Sequence, residues 1–107
     1  MAKSITIKLE PYGLANEWVR IRDPKMMSWG EVKEITATYS GRASAEQVDA
    51  LYMRVVEEWD VNSTDNPPEH FTGAPTPERL QRVPYAVLEA VVLRVKQRVE
   101  APPGPPA

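Results

Sequence analysis

The chain has 107 residues, 11 of them proline, with one histidine and no cysteine. That length predicts one domain with a modest core, and the missing cysteine excludes disulfides, thiolate zinc sites, iron–sulfur clusters and a thiol nucleophile. Apolar residues make up 42% and charged residues 26%, and the net charge of −2 implies no general attraction to nucleic acid or anionic lipid.

Ile5, Ile7 and Leu9 alternate with Thr6, Lys8 and Glu10, the period of a half-buried strand. A loop follows, and Val19 and Ile21 then share one face of a second strand while Trp18, Arg20 and Arg22 share the other. The two runs predict an antiparallel hairpin, which needs something to pack on. Ser28 and Glu31 read as a capping box for a first helix over 29–39, with Trp29, Val32, Ile35, Thr36 and Tyr39 on its apolar face and Gly41 as its stop. Ser44 and Gln47 form a second box. Val48, Leu51, Tyr52, Val55 and Trp59 then predict an amphipathic helix over 45–59.

Residues 60–76 show no period and hold Pro67, Pro68 and Pro75, so they read as a long loop pinned to the core by Val61 and Phe71. Thr76 and Pro77 start a short helix that Pro84 ends. A last helix over 84–99 carries the stripe Val87, Val91 and Val95. Residues 101–107, APPGPPA, read as a disordered tail beyond a single domain over 1–100. The fold class expected is α+β: an N-terminal hairpin on a bundle of three longer helices and one short one.

Little in this pattern points to chemistry. His70 is a solitary loop histidine without the nucleophile and orienting acid of a triad. The five glycines are scattered, so no phosphate-cradling loop forms. Glu57, Glu58, Asp60, Asp65 and Glu69 make an acidic stretch without the spacing of a calcium loop. The chain is therefore expected to be no enzyme, with no cofactor and no metal. Trp18, Arg20, Arg22 and Lys25 mix cations with an aromatic, which suits base stacking in a small nucleic-acid-binding regulator. Apolar residues beside the main helix stripes are the better signal of contact. Met53 and Val56 lie beside the second helix stripe, Ala86, Ala90 and Leu93 beside the last, and Met26 and Met27 precede the first helix. These seven are the candidate partner-binding residues, for a second copy or another protein.

The order of features resembles that of the small tail assembly chaperones of long-tailed bacteriophages and prophages. The likeness rests on four segments. They are Ile5-Thr6-Ile7-Lys8-Leu9; Trp18-Val19-Arg20-Ile21-Arg22-Asp23-Pro24-Lys25-Met26-Met27-Ser28-Trp29-Gly30; Glu57-Glu58-Trp59-Asp60-Val61; and Leu80-Gln81-Arg82-Val83-Pro84-Tyr85-Ala86-Val87-Leu88. The segment from Asn62 to Pro75 departs from it, because such proteins often have a compact aspartate–glycine turn there. The resemblance implies a non-enzymatic protein of the host cytoplasm. It would bind the tape-measure protein, keep it soluble, and release it to tail-tube subunits. Another tail or head–tail component is the neighbouring reading.

Overall fold

The alternating run at the N-terminus pairs as its period requires. In the computed structural model, which describes residues 3–100, β1 (Ser4–Lys8) and β2 (Trp18–Arg22) form an antiparallel hairpin. Ile5 lies opposite Ile21 and Ile7 opposite Val19, all on the face turned to the core. A tight turn at Glu10–Tyr12 joins them and closes on Gly13 at φ 83°, a left-handed conformation that glycine adopts without a Cβ penalty. Asp23 ends β2 and caps a second tight turn, accepting the Lys25 backbone N–H at 2.9 Å.

Helix α1 (Trp29–Ser40) starts at Ser28, whose Oγ accepts the Glu31 N–H at 3.2 Å. The box is only half closed. Glu31 accepts the Ser28 hydroxyl at 3.3 Å and gives its other oxygen to Arg22 at 2.8 Å, which ties the helix start to β2. Gly41 stops the helix by close approach rather than by a left-handed φ: a Cβ there would lie 2.9 Å from the Ala37 carbonyl oxygen. Helix α2 (Ala45–Val55) has the complete box, with Ser44 Oγ accepting Gln47 N–H at 3.2 Å and Gln47 Oε1 accepting Ser44 N–H at 2.8 Å.

The helix expected to reach residue 59 stops at Val55, and β3 (Val56–Asn62) begins with no connection between them. It pairs antiparallel with β2, placing Val19 opposite Trp59 and Ile21 opposite Val56. An irregularity between Arg20 and Ile21 absorbs Glu57, the effect of a bulge. The physical reason is the open edge of β2, whose hydrogen-bonding groups need a partner once its inner face is buried. The β-branched, aromatic run Val56, Trp59, Val61 supplies it, and all three are buried. A fourth strand, β4 (His70–Gly73), pairs with β3, Val61 opposite Phe71. The sheet order is β1-β2-β3-β4, antiparallel throughout.

The segment expected to be structureless is thus built into the sheet at residues 60–62 and 70–73. Its remaining turn is held by hydrogen bonds. Buried Ser63 donates its N–H to the Glu69 carbonyl at 2.8 Å, and its Oγ accepts the N–H of Asp65 and of Glu69. Arg82 binds the carboxylates of Asp65, Glu69 and Glu78 from below. Thr76 caps the short α3 (Pro77–Leu80), and α4 (Tyr85–Glu100) crosses β1 and β2. The architecture is α+β as expected: three longer helices and a short one, packed on a sheet twice as wide as the hairpin alone. Val87, Val91 and Val95 of α4 belong to the same buried core as Val19, Ile21 and Trp59. The tail reading for 101–107 lies outside the described residues. Among the described residues no helix is long and apolar enough to cross a membrane.

Candidate functional site

The acids and bases singled out in the sequence are brought together in pairs. Arg20 meets Glu58 at 2.6 Å, and His70 Nε2 meets Asp60 Oδ1 at 2.6 Å across β3 and β4. Ser4 donates its hydroxyl to Glu57, and Asp65 and Glu69 belong to Arg82. Every member of the acidic stretch therefore has a donor, with Asp65 and Glu69 sharing Arg82. Arg82 holds its proton more firmly because three carboxylates accept its hydrogen bonds, and the same contact lowers the Asp65 pKa. The Arg82 and Arg79 guanidiniums also lie 5.1 and 4.9 Å from the centre of the buried Phe71 ring, close enough for cation–π attraction.

Of the residues of the nucleic-acid reading, Lys25 lies in the turn after β2, while Trp18, Arg20 and Arg22 are on the outer sheet face. Trp18 is half-buried there, next to Arg20 and opposite Lys8. A shallow concavity of about 480 Å³ opens at this end, lined in part by Lys8, Trp18, Arg20, Glu10 and Glu17. Its two cations are matched by two carboxylates, and Arg20 and Arg22 already pair with Glu58 and Glu31. A second groove of about 410 Å³ runs between α1 and α2, floored by Ile35 and Leu51 with Arg42 and Arg54 at its rim. Arg54 is joined to Glu34 across it.

The apolar surface is more distinctive. Trp29, expected in the core, is 70% exposed, with the Lys33 ammonium 5.7 Å from its ring centre. It occupies the first position of α1, and only Ile35 of the expected stripe is fully buried. Met26, three residues earlier, is also exposed, and Met27 packs partly against the core. Tyr85, at the start of α4, and Leu93 are exposed as well. The sequence reading missed Tyr85, although its place in the first helical turn after Pro84 is a signal of an unpacked end.

The other candidate residues divide. Leu93 is 43% exposed and Ala86 half-buried, while Met53 packs partly against the core. Val56 and Ala90 are corrected: both are interior, at 5% and 1% exposure. Val56 is a β3 residue under the sheet rather than a helix-flank residue, and Ala90 is covered because α4 lies close against the strands. Between α2 and α4 the buried Tyr52 hydroxyl donates to the Leu88 carbonyl at 3.1 Å. Lys96 lies 5.8 Å from the centre of the Tyr39 ring. Leu88, Val92 and Lys96 thus form the flank of α4 turned to α1 and α2. Ala86, Leu93 and Gln97 lie roughly a third of a turn further round, at 100° per residue.

The surfaces with apolar character are then the Met26–Trp29 entrance to α1 and the outer flank of α4. No family model, curated protein or solved structure matches the chain.

Proposed function

We propose that the chain acts by protein–protein contact as a tail assembly chaperone of a long-tailed bacteriophage. In this reading it binds the tape-measure protein and holds it soluble until tail-tube subunits assemble around it. The observation that carries the reading is Trp29, a large aromatic side chain left 70% exposed beside Met26 at the start of α1. Exposed aromatics of this kind are typical anchors of protein interfaces. Covering Trp29 would remove most of its area from water, a gain of about 3 kcal/mol. The thioether of Met26 adds an apolar contact that adapts to a partner's shape. A long, helical, apolar protein offers many equivalent sites to such an anchor. The resemblance in residues 18–30 covers the same segment.

Co-expression with the tape-measure protein of the same genome tests this. The large protein should stay soluble with the wild-type chain and pellet with Trp29→Ser. If it pellets in both, the reading fails. Recovery of the chain in finished virions would instead indicate a tail-completion role. Salt-dependent retardation of DNA or RNA through Trp18, Arg20 and Arg22 would indicate a regulator.

A further inference from the structure

The two edges of the sheet are built differently. The Asp23 N–H donates to the Lys3 carbonyl at 2.8 Å, and the Leu9 N–H donates to the Glu17 carbonyl at 3.0 Å. With the register of β1 on β2, these bonds assign the main-chain groups of residues 3, 5, 7 and 9 to β2. The N–H and C=O of Ser4, Thr6 and Lys8 therefore point outward from the sheet. At the other edge the Ser63 N–H donates to the Glu69 carbonyl. By the same alternation only His70 and Thr72 point outward from the four-residue β4, which Pro67, Pro68 and Pro75 bracket. Short length and nearby proline guard that edge. β1 is longer, has no proline, and its pairing with β2 shows no irregularity.

We propose that β1 is a self-association edge, pairing antiparallel with β1 of a second copy about a two-fold axis at Thr6. The outward groups are all on even-numbered residues, so the centred register places Ser4 opposite Lys8 of the second copy and Thr6 opposite its own counterpart. Each such pair exchanges two main-chain hydrogen bonds. Ile5 then lies opposite Ile7 of the second copy on the core side, extending the apolar face across the junction. Lys3 falls opposite Leu9 of the second copy, so no lysine faces another.

Charge favours this occupant over an arbitrary strand. Lys8 has no carboxylate partner among the described residues. Ser4, the residue it would face, donates its hydroxyl to Glu57. The Lys8 ammonium thus enters beside the Glu57 carboxylate of the second copy, and an isologous interface makes this contact twice. The helices agree with the edge. α4 lies over β1 and β2, and its flank away from α1 and α2 carries Ala86 and exposed Leu93. A two-fold axis perpendicular to the sheet puts both α4 helices on the same side, so these flanks approach each other. The inference is independent of the tape-measure reading and survives its failure.

Size-exclusion chromatography with light scattering tests it on the full chain. The mass should rise towards twice the 12.0 kDa of one chain as concentration increases. Thr6→Pro removes an outward N–H and no bond to β2, so it should give a monomer with an unchanged far-ultraviolet spectrum. Lys8→Glu should weaken the dimer about fivefold, and adding Glu57→Lys should restore it. A wild-type monomer at millimolar concentration overturns the proposal. So does a dimer insensitive to both Thr6→Pro and Lys8→Glu. If Thr6→Pro fails to fold, the charge swap decides: without weakening by Lys8→Glu and recovery in the double variant, the edge pairing is wrong.

Discussion

Tyr52→Phe isolates one hydroxyl at the junction of α2 and α4. The ring is buried, at 4% exposure, and its hydroxyl donates to the Leu88 carbonyl at 3.1 Å. Phenylalanine keeps the ring and loses that bond. It orphans no acceptor, since a carbonyl has two lone pairs and that of Leu88 lies within α4, where a helical N–H shares it. The cost at neutral pH is therefore that of one ordinary hydrogen bond, about 1 kcal/mol. For a domain of this size that is about 4–8 °C in Tm.

The sign reverses in alkali. Burial, with smaller contributions from Tyr85 and Asp49, pushes the Tyr52 pKa up from 10.0 to about 12. A phenol that ionises later in the folded state than in the unfolded one stabilises the fold fully below the unfolded value. That stability is lost as pH rises through the folded value. At about 1.4 kcal/mol per pKa unit, the wild type loses roughly 1–1.5 kcal/mol from this group by about pH 11, while Tyr52→Phe loses none of it. The two stability curves should cross near pH 11. Urea unfolding followed by circular dichroism across this range measures the difference directly. A gap that stays constant from neutral to alkaline pH would refute both the burial of the hydroxyl and its hydrogen bond.

Phe71→Ala removes a fully buried ring that stacks on Trp59 at 6.3 Å and should cost about 3–5 kcal/mol, most of a small domain's stability, read as a collapse of the urea midpoint. Asp23→Asn removes a buried carboxylate's charge and one of the two oxygens that accept from Arg98 Nε at 2.8 Å and Nη2 at 3.0 Å, and should lower the midpoint at neutral pH. Its hydrogen bond to Arg98 depresses the Asp23 pKa, so the wild-type advantage is present above the ordinary carboxylate value and should fade as pH falls through the lowered one; a midpoint gap that persists in strong acid would contradict this. Arg82→Gln should speed amide exchange at Asp65 and Glu69 while leaving β2 and β3 protected, measured by hydrogen–deuterium exchange. Trp29→Ser should change stability by less than about 0.5 kcal/mol, checked by the same urea titration, since so little of the side chain is packed.

The parts of the fold written in a single local period were legible. β1 and β2 alternate cleanly, α4 repeats at helical spacing, and Ser28, Ser44 and Thr76 act as caps. What escaped was decided by distant partners. Val55 and Trp59 are four apart and extend a helical stripe on paper, yet the open edge of β2 recruits Val56, Trp59 and Val61 as a strand. Alternation in β3 is hidden by the residue absorbed at Glu57. β4 has four residues between prolines, too few to show a period, and exists because β3 exposes an edge. Trp29 misled for the opposite reason: hydrophobicity and position placed it on an apolar face, but at the first position of α1 its ring is left exposed. Of the contact candidates, Leu93 was readable as surplus to the stripe and Met26 as an apolar residue in a connection, whereas Val56 and Ala90 required knowing which elements cover them.

Charge pairing sharpens what kind of contact this surface can make. Arg20, Arg22, Arg54, Arg82 and Arg98 each hold at least one carboxylate. Mostly exposed, these pairs add little stability individually. Within each pair the opposite charges cancel much of the local field. The resources left over are of two kinds: large apolar side chains without cover, at Met26, Trp29, Tyr85 and Leu93, and unpaired main-chain groups along β1. Neither depends on long-range attraction. Association through them should respond weakly to ionic strength in its on-rate and strongly to truncation of a side chain or blockage of an N–H in its off-rate. On the tape-measure reading proposed above, that balance favours release, because a small anchor and a short edge are displaced piecemeal.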